Sequence, residues 1–262
     1  VALFPPLNSN GLLVQRPYGW TQAFLTAAET QPSGRRYASA QRTEPLRRYA
    51  LAYGQLTDAE AGVLEAFFDQ MKGRYGQFGW LDPAGNLVRY SEDFGHASWV
   101  KQAVTAGAAV ADPFGGTRAT ALTFAGLGIL KTDLEPAGLN GYVLCASAWL
   151  KAAGAGQACD IGITDDGSYH YRTAPIPQEW TRIWYTRKIT GTGTVTWAMQ
   201  CPGGGLQICS PQMTATPGPG PYVRSPAMYG YRPKCFFGTD TLAVRVLGPN
   251  QRTAAFPIEE WG

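Results

Sequence analysis

Histidine is almost absent from this chain: in 262 residues only His96 and His170 supply an imidazole. A Ser-His-Asp or Cys-His device would have to use one of them, and neither sits in a nucleophile motif such as G-x-S-x-G. His96 falls in a loop-like stretch, and His170 lies between Tyr169 and Tyr171 on an expected strand, so both read as ordinary hydrogen-bonding residues. Paired close ligands for zinc are missing as well. Cys145, Cys159, Cys201, Cys209 and Cys235 contain no C-x-x-C spacing.

Charge is scarce. Asp, Glu, Lys and Arg make up 16% of the residues and the net charge is +3, too little to imply a nucleic-acid partner. The pairs Arg35-Arg36 and Arg47-Arg48 read as solvated strand faces. No run approaches the roughly 20 apolar residues that span a bilayer. The opening VALFPPLNSNGLLV has neither a basic start nor a continuous apolar stretch, which argues against a secretory signal. Long helical patterns are few, whereas Gly 32 and Pro 19 are high for the length. That balance favours a mainly β fold with many turns.

Five cysteines leave two readings open. All are buried free thiols, or Cys201 and Cys209 face each other across the Gly-rich turn between them.

What is present most clearly is the run from Leu56 to Leu87. Thr57 and Glu60 fit a capping box, in which hydroxyl and carboxylate each satisfy an orphan N–H at the helix start. Val63, Leu64, Phe67, Phe68 and Met71 recur at helical spacing and mark one buried face over about 57–72. Gly73 is the expected left-handed stop. Phe78 to Leu81 then reads as an aromatic strand ended by Asp82-Pro83.

Upstream, Trp20 to Thr30 and Arg35 to Thr43 form two expected arms around the turn Pro32-Ser33-Gly34. From Arg47 to Tyr53 the sequence alternates, with Tyr49, Leu51 and Tyr53 on the face the helix should cover. Downstream of Val88 the texture changes to short alternating segments. Tyr142–Leu150, Ala158–Thr164, Tyr169–Thr173, Thr181–Thr190, Thr194–Gln200 and Leu206–Cys209 suit strands of a β-sandwich. Thr241–Leu247 and Thr253–Glu259 form a closing hairpin about Gly248-Pro249-Asn250. A lone hairpin is marginal in water, so it should return to the sheet of the first unit. The expected organisation is therefore an α+β unit of residues 1–87 plus 235–262, with a jelly-roll domain, 88–234, inserted.

The stretch QRTEPLRRYALAYGQLTDAEAGVLEAFFDQMKGRYGQFGWLDPAGN resembles a recurring pattern in tail proteins of long-tailed bacteriophages and gene-transfer agents. Gly73-Arg74, Phe78, Trp80 and Asp82-Pro83 carry the likeness, and FFGTDTLAVRVLGPNQRTAAFPIEEW is similar to the closing hairpin of such domains. The resemblance to the distal tail protein implies a homo-oligomeric ring, commonly a hexamer, that joins the tail tube protein to the tip or hub proteins in the virion after assembly in the bacterial host cytoplasm. NLVRYSEDFGHASWVKQ is similar to the start of carbohydrate-binding-module-like jelly rolls in phage tail proteins, through Asn86, Leu87, Tyr90, Ser91, Glu92, Asp93, Phe94 and Trp99. That likeness implies a jelly roll and a possible host-surface glycan as partner.

A catalytic set is not found. Asp165-Asp166 reads as a turn, Glu92-Asp93 belongs to the opening motif of the second domain, and Glu259-Glu260 lies at the chain end. The run Gly203 to Gly205 has no Lys-Ser/Thr after it, and no EF-hand spacing occurs. The expectation is no enzyme, no metal site and no cofactor. Exposed aromatics are the remaining candidates, because a sugar presents an apolar C–H face to stack and a polar rim to bond. Tyr169 and Tyr171 share one strand face; Trp180 and Trp184 share another with Arg182. For Trp180 and Trp184 the competing reading is that they fill the sandwich core.

Overall fold

A computed structural model describes residues 1–7, 13–15, 17–42, 45–226 and 230–261. The expected arm end at Thr43 lies outside the described residues. Sixteen strands and one helix follow one another: β1 (Gly19–Ala23), β2 (Thr26–Thr30), β3 (Arg36–Ala40), β4 (Leu46–Leu56), α1 (Asp58–Met71), β5 (Phe78–Leu81), β6 (Trp99–Val110), β7 (Ala119–Asp133), β8 (Val143–Ala152), β9 (Ala158–Asp165), β10 (Ser168–Pro175), β11 (Thr181–Lys188), β12 (Thr196–Cys201), β13 (Gly204–Thr214), β14 (Tyr231–Phe237), β15 (Val244–Gly248) and β16 (Gln251–Glu260). The fold is mainly β, with a single helix among the described residues. Two compact units result, one of Val1–Ser9, Val14–Trp80 and Pro233–Gly262, the other of Asn10–Leu13 and Leu81–Arg232.

The first unit is a sheet ordered β1-β4-β16-β14-β5, with β15 also on β16. Its hub is the antiparallel pairing of β4 with β16, Tyr49 opposite Ile258 and Leu51 opposite Phe256. Tyr49, Leu51 and Tyr53 are buried on one face of β4, as their alternation requires. Arg47 departs from expectation. It is buried on that same face, 4.9 Å over the Trp20 ring, rather than solvated. α1 lays Ala61, Leu64, Phe67 and Met71 into the core, where Phe67 meets Phe78 at 5.3 Å and Phe4 at 5.7 Å. Val63 is exposed instead, because it falls a third of a turn off that stripe.

Both ends of the helix are fixed as its sequence foretells, with one change. Thr57 Oγ1 accepts from Glu60 N at 3.2 Å, and Glu60 Oε2 accepts from Thr57 N at 2.9 Å. The left-handed turn begins one residue early, at Lys72 (φ 53), and continues through Gly73 (φ 60). Glycine is needed there for space as well as for φ: a Cβ on Gly73 would stand 2.8 Å from Asp240 Oδ1.

The long arm expected from Trp20 to Thr30 is broken at Phe24-Leu25. β1 pairs with β4, whereas β2 and β3 form a separate two-stranded arm about Pro32-Ser33-Gly34. Every residue of that arm is exposed. At the other end β15 starts at Val244, later than the expected Thr241, because Thr239 Oγ1 engages Thr241 N in a local turn.

The second unit is a sandwich through which the chain passes from layer to layer. The Gly128–Asp133 part of β7 pairs with β12, while its Thr120–Phe124 part pairs with β13. Gly126 (φ 68) lies at the crossing. One layer holds β10, β9 and β12; the other holds β13, β8 and β11; β6 and β7 contribute to both. Ile161, Ile163, Trp197 and Met199 from the first layer and Leu144, Ala148, Leu150 and Ile208 from the second are fully buried between them. The edge strands β10 and β11 approach each other across the opening of the sandwich.

The cysteine expectation needs correction. Cys201 is bonded to Cys159, not to Cys209, because β12 runs beside β9 with Gln200 opposite Asp160, which makes Cys201 and Cys159 the next pair. Cys145, Cys209 and Cys235 are buried and not disulfide-bonded.

Candidate functional site

β10 is an edge strand: among the described residues only β9 pairs with it, which leaves its other side open. Tyr169 stands opposite Thr164, Tyr171 opposite Gly162 and Thr173 opposite Asp160, which puts all of them on the outer face of the layer. Gly162 has no side chain there; a Cβ would come within 2.8 Å of Tyr171 Cβ. In the space so left, the Tyr169 and Tyr171 rings stack 4.9 Å apart with planes 23° from parallel.

The two tyrosines differ in exposure. Tyr169 is half-buried, and its hydroxyl donates to the backbone oxygens of Asp160 at 3.1 Å and Ala198 at 3.3 Å, so its ring reaches from β10 across to β12. Burial first, and the nearby Asp160 charge second, push its phenol well above the ordinary range. Tyr169 is therefore a neutral donor around neutral pH, held by its two backbone acceptors. Tyr171 lies over this support and is 50% exposed. The same outer face carries Asp160, whose Oδ1 accepts from Thr173 Oγ1 at 2.6 Å, together with Gln200 and Lys131. A flat aromatic ring beside carboxylate, amide and amine groups can stack on an apolar face and bond a hydroxyl rim.

Trp184 occupies the opposing edge. It is paired with Ser147 of β8 on the outer side of the second layer and is 42% exposed, so it does not fill the core. The guanidinium of Arg172, next to Tyr171 on β10, lies 6.0 Å over the Trp184 ring. Trp180 sits just before β11, half-buried, and makes no ring contact with the other three among the described residues. Arg182, on the Trp184 face, is committed elsewhere: it donates to Gly220 O at 2.7 Å, Gln212 Oε1 at 2.7 Å and Ser147 Oγ at 3.1 Å.

Of the sequence candidates, then, Tyr169 and Tyr171 come together, Trp184 sits across the edge from them through Arg172, and Trp180 stands apart. Arg172, Asp160 and Thr173 went unnoticed, because no residue pattern reveals which strands are edges.

The paired carboxylates have structural work. Asp165 is buried and accepts from Thr190 N at 3.0 Å, Gly191 N at 2.9 Å and Arg187 Nε at 3.3 Å. Burial alone would raise its pKa, but those donors outweigh it and hold the carboxyl below the ordinary range. Asp166 takes the left-handed turn position at φ 54. Glu92 ties Arg224 at 2.9 Å and Arg118 at 3.4 Å. Among the described residues no group of three or more His, Cys, Asp and Glu is placed to hold a metal ion, and no helix is long and apolar enough to cross a membrane.

No family model matches the chain, and no curated relative does. Solved structures similar to it include the enzymatically active domain of bacteriophage CBA120 tailspike protein 4, at 14% identity and TM-score 0.39, over 52% of this chain and only 22% of the tailspike chain. The CBM22-1 xylan-binding domain of Paenibacillus barcinonensis Xyn10C matches at 11% identity and TM-score 0.40, over 53% of this chain and 99% of its own. A carbohydrate-binding module of Cellvibrio mixtus lichenase 5A, solved with cellotriose, matches at 15% identity and TM-score 0.34, over 49% of this chain and 97% of its own. At TM-scores below 0.5 these likenesses lend no weight to the role of any residue.

Proposed function

We propose that this chain is a structural subunit of a bacteriophage tail, of distal-tail type. In this reading its first unit packs against copies of itself in a ring between tube and tip, and its second unit binds host-surface glycan on the Tyr169–Tyr171 face. The observation that carries the ring is the arm β2–β3. A two-stranded hairpin is marginal alone, yet here all of its strand residues are exposed. With Phe24 62%, Leu25 52% and Tyr37 53% exposed, it offers apolar surface that contact with another subunit would cover. The sequence likeness to tail proteins, carried by Gly73-Arg74, Phe78, Trp80 and Asp82-Pro83, points the same way. The unit has no catalytic task in this account.

Native mass spectrometry and electron microscopy of the purified chain test the ring. Closed rings, expected as hexamers, support it, and they should disappear when Phe24 and Leu25 are both replaced by Ser. Monomers alone, at concentrations and in the presence of tube protein that permit assembly, would refute it. The second reading, a free-standing glycan-binding protein or an accessory module of a polysaccharide-degrading enzyme, is favoured by the aromatic platform itself. Strong binding of a glycan by a solitary copy would select that alternative.

A further inference from the structure

We propose that the edge between β10 and β11 is an anion-binding sugar subsite, in which Arg172 takes the carboxylate of an acidic glycan whose ring rests on Trp184. The proposal rests on the glycan reading above and narrows it to a substrate class. Charge is what singles out this edge. β10 and β11 together carry Arg172, Arg182, Arg187 and Lys188 and not one Asp or Glu. Arg187 is spent on Asp165, and Arg182 on Ser147, Gln212 and Gly220. Arg172 is exposed and, among the described residues, lies within ion-pair distance of no carboxylate.

Among the described residues its guanidinium is placed against an aromatic ring, 6.0 Å away, that is itself 42% exposed. A guanidinium over an indole is held in place without being neutralised, so its N–H fork stays free to bond a carboxylate in bidentate fashion. The indole beside it offers the apolar surface against which the C–H face of the same sugar packs. The Tyr171 face is different in kind. Asp160 and Lys131 both stand on that face and offset each other, so a carboxylate gains most at the Arg172 edge, where no acidic strand residue opposes the guanidinium.

The experiment is calorimetric titration of the whole protein with three carboxylated polymers, polygalacturonate, alginate and hyaluronate, and with two uncharged ones, fully methyl-esterified polygalacturonate and dextran. The expected result is that at least one acidic polymer binds about tenfold or more tightly than the uncharged ones, a margin that shrinks as salt is raised. R172Q should abolish that preference, R172K should keep part of it, and W184A should weaken the acidic polymer further. Unchanged circular dichroism in each variant excludes misfolding, since both side chains are exposed. Equal binding of the acidic polymer by R172Q and the parent overturns the proposal. Binding that favours the uncharged polymers and depends on Tyr171 overturns it too, while leaving the glycan reading intact. If neither kind of polymer binds, both readings fall together.

Discussion

Arg252 holds the Asp58 carboxylate at 2.9 Å, and so fastens the turn of the closing hairpin to the first residue of α1. Beside this pair Asn250 Oδ1 accepts from Asp58 N, also at 2.9 Å. The helix start therefore has its own capping box and a second acceptor from a distant part of the chain. At the other end Asp240 Oδ1 accepts from Arg74 N at 3.0 Å, just past the C-cap. Both ends of the helix are thus tied to the segment that follows β14, the first through a helix N–H and the second through the N–H of Arg74 just beyond it, which is how residues far apart in sequence come to share one core.

Asn250 should be a sensitive position for that reason. It sits at φ 54, which asparagine tolerates better than alanine, and it satisfies a helix N–H. Replacement by Ala loses the acceptor and strains the turn, an expected cost of about 1–2 kcal/mol. Asn250→Gly restores the backbone freedom but not the acceptor, and should recover about half. Chemical denaturation followed by hydrogen exchange in β4 and α1, which report the first unit, measures both.

The disulfide belongs to the other unit and should act there alone. Cys159 and Cys201 close a loop with a sequence separation of 42, for which chain entropy gives roughly 2–4 kcal/mol of stabilisation. The Cys159→Ala, Cys201→Ala double variant should lose about that much, with hydrogen exchange rising in β9 and β12 and not in β4 or α1. Alkylation of the denatured, unreduced protein should label three thiols, Cys145, Cys209 and Cys235. Five labels would mean the bond is absent in the protein as isolated.

The parts that sequence makes plain are the parts whose signal is local. The capping box of Thr57 and Glu60, the spacing of Leu64, Phe67 and Met71, and the alternation through Tyr49, Leu51 and Tyr53 each need only a few neighbouring residues, and each appears in the structure. β6 and β7, the longest strands, escaped notice because they are rich in Ala and Gly, which carry little strand preference. Pairing supplies what their composition lacks, since β7 has β6 along one side and β12 or β13 along the other. The partner of Cys201 was illegible for the same reason: it depends on β9 lying beside β12, a relation between strands far apart in the chain. Arg172 gains meaning only once β10 and β11 are known to be edges. Tyr169 and Tyr171, by contrast, are joined by simple alternation, which a sequence does display.

Acid should loosen the loop around Asp112. Its carboxylate accepts from the backbone of Phe114 at 2.7 Å, Gly116 at 3.0 Å and Arg118 at 3.2 Å, and from Arg118 Nε at 3.2 Å. Burial alone would raise the pKa, but these donors outweigh it and lower it to about 2 from an ordinary value of 3.8. A depressed carboxyl stabilises the fold fully above its unfolded pKa and loses that contribution as pH falls through the folded one. The window is thus about pH 4 to 2. Asp112→Asn should flatten the fall in stability across that window and leave the protein less stable at neutral pH. An unchanged acid profile would assign the acid sensitivity to other carboxylates.

The tyrosine platform separates support from contact, and two variants should tell them apart. Tyr169→Phe removes a half-buried hydroxyl that donates to two backbone oxygens, those of Asp160 and Ala198. Both acceptors would then lack that donor, at an expected cost of about 1–2 kcal/mol in stability. The ring that Tyr171 leans on would remain, so glycan affinity should fall by less than about threefold. Tyr171→Ala does the reverse. Its ring is half exposed and its removal opens no cavity in the core, so stability should move by less than about 0.5 kcal/mol. Ligand stacking, however, would lose its outer surface, and affinity should drop about tenfold. Thermal unfolding and calorimetric titration on the same two proteins give four numbers whose pattern is diagnostic. If Tyr171→Ala binds every glycan as the parent does, the platform is surface without a ligand, and the aromatic pair serves only to cover Gly162 and Ala198.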